Sequence, residues 1–258
     1  MRLYWKYILV HLKSQMQYKT SFVMTIIGQF ITAFSAFLTT YFMMLRFQTI
    51  QGYSMSEVLL CFAAVLMAFS FAECFARGFD RFSGMLGNGE FDRILVRPRN
   101  VVLQVLGSKV EFTRLGRFVQ AVLVLCYAVP ASPVNWTPDK ILTLVLMIAG
   151  GTVTFAGLFV ISAALCFFTT EGLEVMNIFT DGGREFGRYP LAVYGSSVLR
   201  FFTYVIPMAW FQQYPLLYLL GRETAIIYML SPLVCFLFWI PCYGIWRIGV
   251  KHYKSTGS

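Results

Sequence analysis

Residues 20–45 read TSFVMTIIGQFITAFSAFLTTYFMML, twenty-six positions without a charge. A helix that crosses a bilayer needs about 20 predominantly apolar residues, so this run is long enough to span. Three further charge-free runs follow, Ile141–Thr170, Phe201–Gly221 and Thr224–Trp246. The rest of the composition agrees: 58% of the 258 residues are apolar and 13% are charged, about half the charge of an ordinary soluble domain. With 26 Phe, 14 Tyr and 5 Trp, a disordered or nucleic-acid-binding tail is excluded as well. The chain reads as an all-α, polytopic integral membrane protein.

At 100° per residue, Ser21, Thr25, Gly28, Gln29, Thr32, Ser35, Ala36, Thr39 and Thr40 share an arc of about 140° on the first span. Val23, Ile27, Phe30, Phe34 and Leu38 occupy the other side. The bulky side suits lipid or apolar neighbours. The small, hydroxylated side should meet protein or water, since hydrocarbon offers its hydroxyls no partner. It serves either for helix packing or, through Thr25, Gln29, Thr32 and Thr39, as the lining of a translocation path.

Charge distribution sets the orientation. Fifteen of the 21 basic residues fall in residues 1–20, in residues 77–117 and in the tail from Arg247, segments separated by even numbers of spans. This is the positive-inside pattern and predicts that both termini are cytoplasmic. Residues 1–20 mix Trp5, Tyr7 and Leu9 with lysines, as in a helix lying in the membrane interface. The apolar run after them exceeds the 7–15 residues of a signal-peptide core and is expected to remain as an anchor.

The expected spans are 21–45, 58–76, 115–129, 141–165, a fifth at either 166–187 or 201–220, and 226–246, all within one transmembrane domain over 1–258. The fifth is ambiguous. Residues 171–188 carry Glu171, Glu174, Asp181, Arg184, Glu185 and Arg188, and each central charge costs about 2.5–3.5 kcal/mol on insertion scales. Phe201–Leu220 is more apolar but is punctuated by Pro207 and Pro215, with Tyr189-Pro190 upstream, which suits a broken or re-entrant element buried in protein. Glu73 ends the second span and has Arg77 four residues on, the spacing of a local ion pair.

Residues 77–114 form the longest charged loop. Inside it, EFDRILVRP at Glu90–Pro98 follows three glycines, and its apolar residues Phe91, Ile94 and Leu95 share one side of a short helix. A knob of this kind suits docking on a soluble partner. Chemistry of its own is missing from the chain. Residues 182–187 lack the Lys-Ser/Thr of a phosphate-binding loop, the two histidines stand far apart, and no two of the six cysteines make a C-x-x-C pair, so no metal site is expected.

These residues resemble the membrane subunits of type-2 ABC transporters. Gly89–Pro98 is similar to the G-x-[LF]-D-x-x-L-x-R-P signature of one subfamily, and the stretch from Tyr189-Pro190 to Tyr214-Pro215 to its later motif. The resemblance implies six spans, an ATPase-contacting coupling loop at Phe91, Asp92, Arg93, Leu95, Arg97, Pro98 and Arg99, and an outer gate near Tyr189, Pro190, Pro207 and Pro215. It implies a separate pair of P-loop ATPase subunits carrying ATP and Mg, with no cofactor on this chain, and a second, dissimilar permease more than a homodimer. It also favours 166–187 as the fifth crossing, with Asp181, Arg184 and Glu185 towards its outer end. The expected role is therefore a non-enzymatic permease of an ATP-driven exporter in the plasma membrane, in contact with lipid. An ion-coupled secondary transporter and a membrane scaffold are the alternatives.

Overall fold

The computed structural model describes residues 2–169 and 174–253. Helix α1 (Arg2–Gln17) breaks at Tyr18 and gives way to α2 (Lys19–Phe47). A hairpin of β1 (Thr49–Ile50) and β2 (Tyr53–Ser54) follows; its turn residues Gln51 and Gly52 both have positive φ, the sign that matches the right-handed twist of paired strands. Ser54 then opens α3 (Met55–Phe75) with a capping box, in which Glu57 Oε2 accepts from the Ser54 N–H at 2.8 Å.

Past α3 the chain folds into four short helices, α4 (Arg77–Asp80), α5 (Phe82–Gly87), α6 (Glu90–Leu95) and α7 (Val101–Ser108). Gly89, in the left-handed region at φ 66°, makes the bend into α6, where a side chain would be strained. Two long helices come next, α8 (Leu115–Ala131) and α9 (Pro138–Thr169). Shorter pieces complete the chain: α10 (Glu174–Phe179), α11 (Asp181–Phe186), α12 (Ser196–Tyr204), α13 (Met208–Phe211), α14 (Gln213–Leu219), α15 (Ile226–Leu230), α16 (Val234–Leu237) and α17 (Trp239–His252). Among the described residues five helical stretches are long and apolar enough to cross a membrane: 19–47, 55–75, 112–131, 138–169 and 226–252.

Helix α3 is apolar on every side, and such a helix must be covered all round. It is: residues 57–70 are all buried, chiefly between α8 and α9. Helix α2 stands at the other extreme. It leans on α8 through Ala33, Phe37 and Gly116, and most of its remaining surface is open. The small residues of α9 bring neighbours close, with Gly150 against Pro232 and Gly151 against Ala68 and Phe211.

Neither expected form of the fifth span is one membrane-length helix. Helix α9 absorbs 166–169, Glu171 lies outside the described residues, 174–186 is two short helices and 201–220 is three pieces. Residues 174–187 nevertheless run lengthwise along α3. Glu174, Asn177 and Asp181 lie level with Glu73, Arg184 sits 4.8 Å over the Phe69 ring, and the Gly187 carbonyl accepts from Cys61. Asp181 and Arg184 are thus near the basic end of α3 rather than at the opposite end. Arg184 pairs with Asp181 at 3.3 Å and with Glu185 at 2.9 Å, which makes this placement tolerable.

The α2–α8 contact depends on Gly116, because a Cβ there would lie 2.3 Å from the Ile26 carbonyl oxygen. Gly28, on the open side of α2, has nothing within 4 Å of such a Cβ. Gly116→Ala should lower the thermal midpoint of the detergent-solubilised chain through about 1–3 kcal/mol of overpacking, whereas Gly28→Ala should leave it unchanged or raise it. Equal effects would show that α2 is not seated as described.

Candidate functional site

At the basic end of the bundle a single carboxylate gathers three guanidiniums. Glu73, in the last turn of α3 and 4% exposed, lies 3.2 Å from Arg77 and 3.6 Å from Arg114 through Oε1, and 2.7 Å from Arg117 through Oε2. The expected Glu73–Arg77 pair is present, and the tertiary fold adds two arginines from 41 and 44 residues away. A second tier surrounds it. Arg77 contacts Asp80 at 2.6 Å, and Glu111 receives Arg114 at 2.9 Å and Lys109 at 3.2 Å. The Arg77 Nε is 3.3 Å from Glu111 but off the hydrogen-bond axis.

Burial pushes the Asp80 carboxyl above its ordinary value, even with Arg77 and Arg81 beside it. Burial acts the same way on Glu111, but Arg77 and Arg114 outweigh it and hold that carboxyl below its ordinary value. This charged floor faces a polar cavity of about 540 Å³ that Glu174, Asn177 and Asp181 close from the opposite side.

The knob built by α4–α7 is welded to the bundle. Phe91, expected on its docking face, is instead fully buried, edge-on to Phe82, Phe167, Trp246 and Tyr253 at ring distances of 5.1–6.4 Å. Ile94 is buried too, so the apolar side of the EFDRIL helix is its inner side. Asp92 is half-buried, while Arg93, Arg97, Pro98 and Arg99 are exposed. The apolar part of the outer surface is Leu95, 40% exposed, together with Val96, 83% exposed, a residue not singled out from the sequence. Gln104 braces the exposed loop by donating to the carbonyls of Ile94 and Arg99. From the other flank, the Gln15 amide of α1 donates to Val110 O and accepts from the Phe112 N–H.

The stripe on α2 divides. Its hydroxyls need no external partner: Thr25 donates to Ser21 O at 2.8 Å, Thr32 to Gly28 O at 2.9 Å and Thr39 to Ser35 O at 3.0 Å. Such back-bonding removes the reason for expecting water there and leaves a smooth, small-residue surface. Thr25 and Gln29 line a cavity of about 570 Å³ with His11, Glu111 and Arg114, and the Gln29 amide oxygen accepts from Arg114 at 3.4 Å. Thr32 lines a much smaller one of about 50 Å³ with Arg117, Arg184 and Arg188. Thr39 is exposed.

Tyr189, Pro190, Pro207 and Pro215 all sit in the folded-back region between α11 and α15, and the three prolines are buried. Pro215 falls in the first turn of α14, where its missing N–H costs nothing. The Tyr189 hydroxyl reaches Thr40 of α2 at 3.4 Å. Two glutamines that sequence reasoning missed fasten this region. Gln212 donates to Tyr189 O at 2.7 Å and accepts from the Leu191 N–H, while Gln213 donates to the Tyr53 hydroxyl at 2.9 Å and accepts from the Ala192 N–H. The available signal was two adjacent amides in a charge-free run, which must find partners inside the protein.

What the arrangement provides is a rigid knob ionically and aromatically locked to spanning helices. Removing one partner of a buried ion pair is expensive, about 3–5 kcal/mol. Glu73→Gln should therefore lower the thermal midpoint far more than Arg81→Gln, whose side chain is 60% exposed. Similar midpoints for the two variants would refute the central place given to Glu73.

The family model described as ABC-2 family transporter protein matches residues 30–257. No curated protein and no solved structure matches the chain. That one match covers both the knob and the folded-back region and agrees with an almost entirely helical bundle containing several membrane-length apolar helices. In this family ATP hydrolysis belongs to partner ATPase subunits. The chain belongs to the ABC-2 transporter family and is a multi-pass membrane permease.

Proposed function

We propose that the chain forms half of the substrate path of an ATP-driven exporter in the plasma membrane, with both ends cytoplasmic, and pairs with a second, dissimilar permease. The knob then docks on the ATPase pair, which carries ATP and Mg, through Arg93, Leu95, Val96, Arg97, Pro98 and Arg99. One observation carries this reading: an exposed apolar and basic tip backed by a rigid base. Phe91 ties the base to α9 and α17, and Arg77 ties it to Glu73 of α3. A push on Leu95 and Val96 is therefore delivered to three spanning helices at once.

The ion-coupled alternative fits less well, because Glu73, the most buried carboxylate among the described residues, is already committed to three arginines. The second permease is supported by the open side of α2. Ser21, Thr25, Gly28, Thr32, Ser35 and Thr39 are all exposed and recur at alternating four- and three-residue spacing, the repeat of a helix–helix seam. Small residues at a seam let helices approach closely in lipid. In this arrangement Thr25, Gln29, Thr32 and Thr39 border the path between the two permeases, and the region of Tyr189, Pro190, Pro207 and Pro215 closes it on the outer side.

Two experiments test the reading. Leu95→Asp with Val96→Asp should abolish substrate-stimulated ATP hydrolysis by the co-purified complex while membrane insertion is retained; full stimulation would remove the knob from the mechanism. Gly28→Leu with Thr32→Leu should release a second permease during mild-detergent purification, with the ATPase interaction kept. Recovery of a plain homo-oligomer without ATPase would instead favour a scaffold.

A further inference from the structure

Where α17 emerges at the basic end, it leaves a groove of about 240 Å³ against the start of α7. Arg247 and Lys251 stand along one wall, four residues apart and hence on one face of the helix. Both are exposed, and among the described residues neither is paired with a carboxylate, unlike the arginines of the Glu73 node. Among the described residues no acidic side chain lines the groove, and its floor is apolar, made by Val101, Val102 and the buried Trp246. The amide oxygen of Asn100 at its edge is already spent on the Leu103 N–H at 3.2 Å. Down the helix from the groove, Tyr243 and Ile240 continue as an exposed apolar track, 45% and 70% open.

Two unpaired cations above an apolar track, at the end of a membrane-length helix, match the shape of one kind of molecule. A phospholipid places a phosphodiester at the interface and acyl chains below it. A bare phosphate or nucleotide would leave the apolar floor and track unused. A zwitterionic lipid would bring a second cation into a groove that holds no carboxylate to receive it.

We propose that this groove is a binding site for an anionic phospholipid. The Arg247 guanidinium and the Lys251 ammonium donate to the phosphodiester, the glycerol backbone rests over Val101, Val102 and Trp246, and an acyl chain follows Tyr243 and Ile240. Because Asn100 and Val101 directly follow the exposed tip of the knob, the bound lipid bridges the knob's base and the last spanning helix.

The test uses the full chain reconstituted in phosphatidylcholine vesicles that contain a trace of photoactivatable phosphatidylglycerol, with cross-linked peptides mapped by mass spectrometry. Cross-links should concentrate on the α7 start and on α17. Arg247→Gln with Lys251→Gln should reduce them roughly tenfold, given the attraction of each basic residue to an anionic surface. Lys6→Gln with Lys13→Gln removes the same charge from exposed positions on α1 and should leave these cross-links within about twofold, since screening confines the effect to neighbouring charges. An equal loss in both variants would mean diffuse attraction and no site. Equal labelling of the wild-type groove by photoactivatable phosphatidylcholine would overturn the proposal without reference to any variant. Competition by millimolar inorganic phosphate would reassign the groove to a soluble anion.

Discussion

The position of Glu73 constrains much of the rest of the structure. A carboxylate withdrawn from water is tolerable only when opposite charge and hydrogen bonds replace the solvent. Glu73 obtains both from Arg77, Arg114 and Arg117, which lie on the knob, on the linker before α8 and on α8 itself. The end of α3, the first turn of the knob and the start of α8 must therefore stay together. Glu111 and Asp80 share the surplus positive charge and extend the same constraint outward. An aromatic cluster of Phe82, Phe91, Phe167 and Trp246 does the same on the opposite flank without charge. Between the two, the knob has little freedom to move independently of the helices.

This rigidity explains the division within the EFDRIL segment. An amphipathic six-residue helix has one apolar side, and that side is used for attachment. The surface left for a partner is the end of that helix and the following loop, where Leu95 and Val96 are flanked by Arg93, Arg97 and Arg99. The proposed docking on an ATPase would use both properties, a soft contact surface and a base stiff enough to carry movement into the spanning helices.

The region between α10 and α14 obeys a different economy from the long helices. Hydropathy measures transfer into lipid, but the inner side of residues 174–187, where Met176, Thr180, Gly183 and Gly187 are buried, packs against α3 and α9. Arg184 pairs with Asp181 and Glu185 and stacks on Phe69, so charges that would be prohibitive in hydrocarbon are neutralised inside protein. The broken backbone beyond it is made possible by Gln212 and Gln213, whose side chains take up the N–H and carbonyl groups that a continuous helix would have satisfied.

Sequence alone determined the membrane class, the four best-defined long helices and the last, interrupted one, because length and uninterrupted apolarity are local properties. It also determined the Glu73–Arg77 pair, since i and i+4 are neighbours on any helix. The signature around Gly89–Pro98 pointed to the family. The tertiary structure alone decided which way Phe91 faces, because a short amphipathic helix has the same pattern whether its apolar side meets its own bundle or a partner. It alone brought Arg114 and Arg117 to Glu73, and it placed 174–187 along α3. Those outcomes depend on which groups compensate a charge across long stretches of chain, and no periodicity records that. The hydroxyls of α2 show the converse: their composition suggested protein or water as partners, but the helix's own carbonyls had already accepted from Thr25, Thr32 and Thr39.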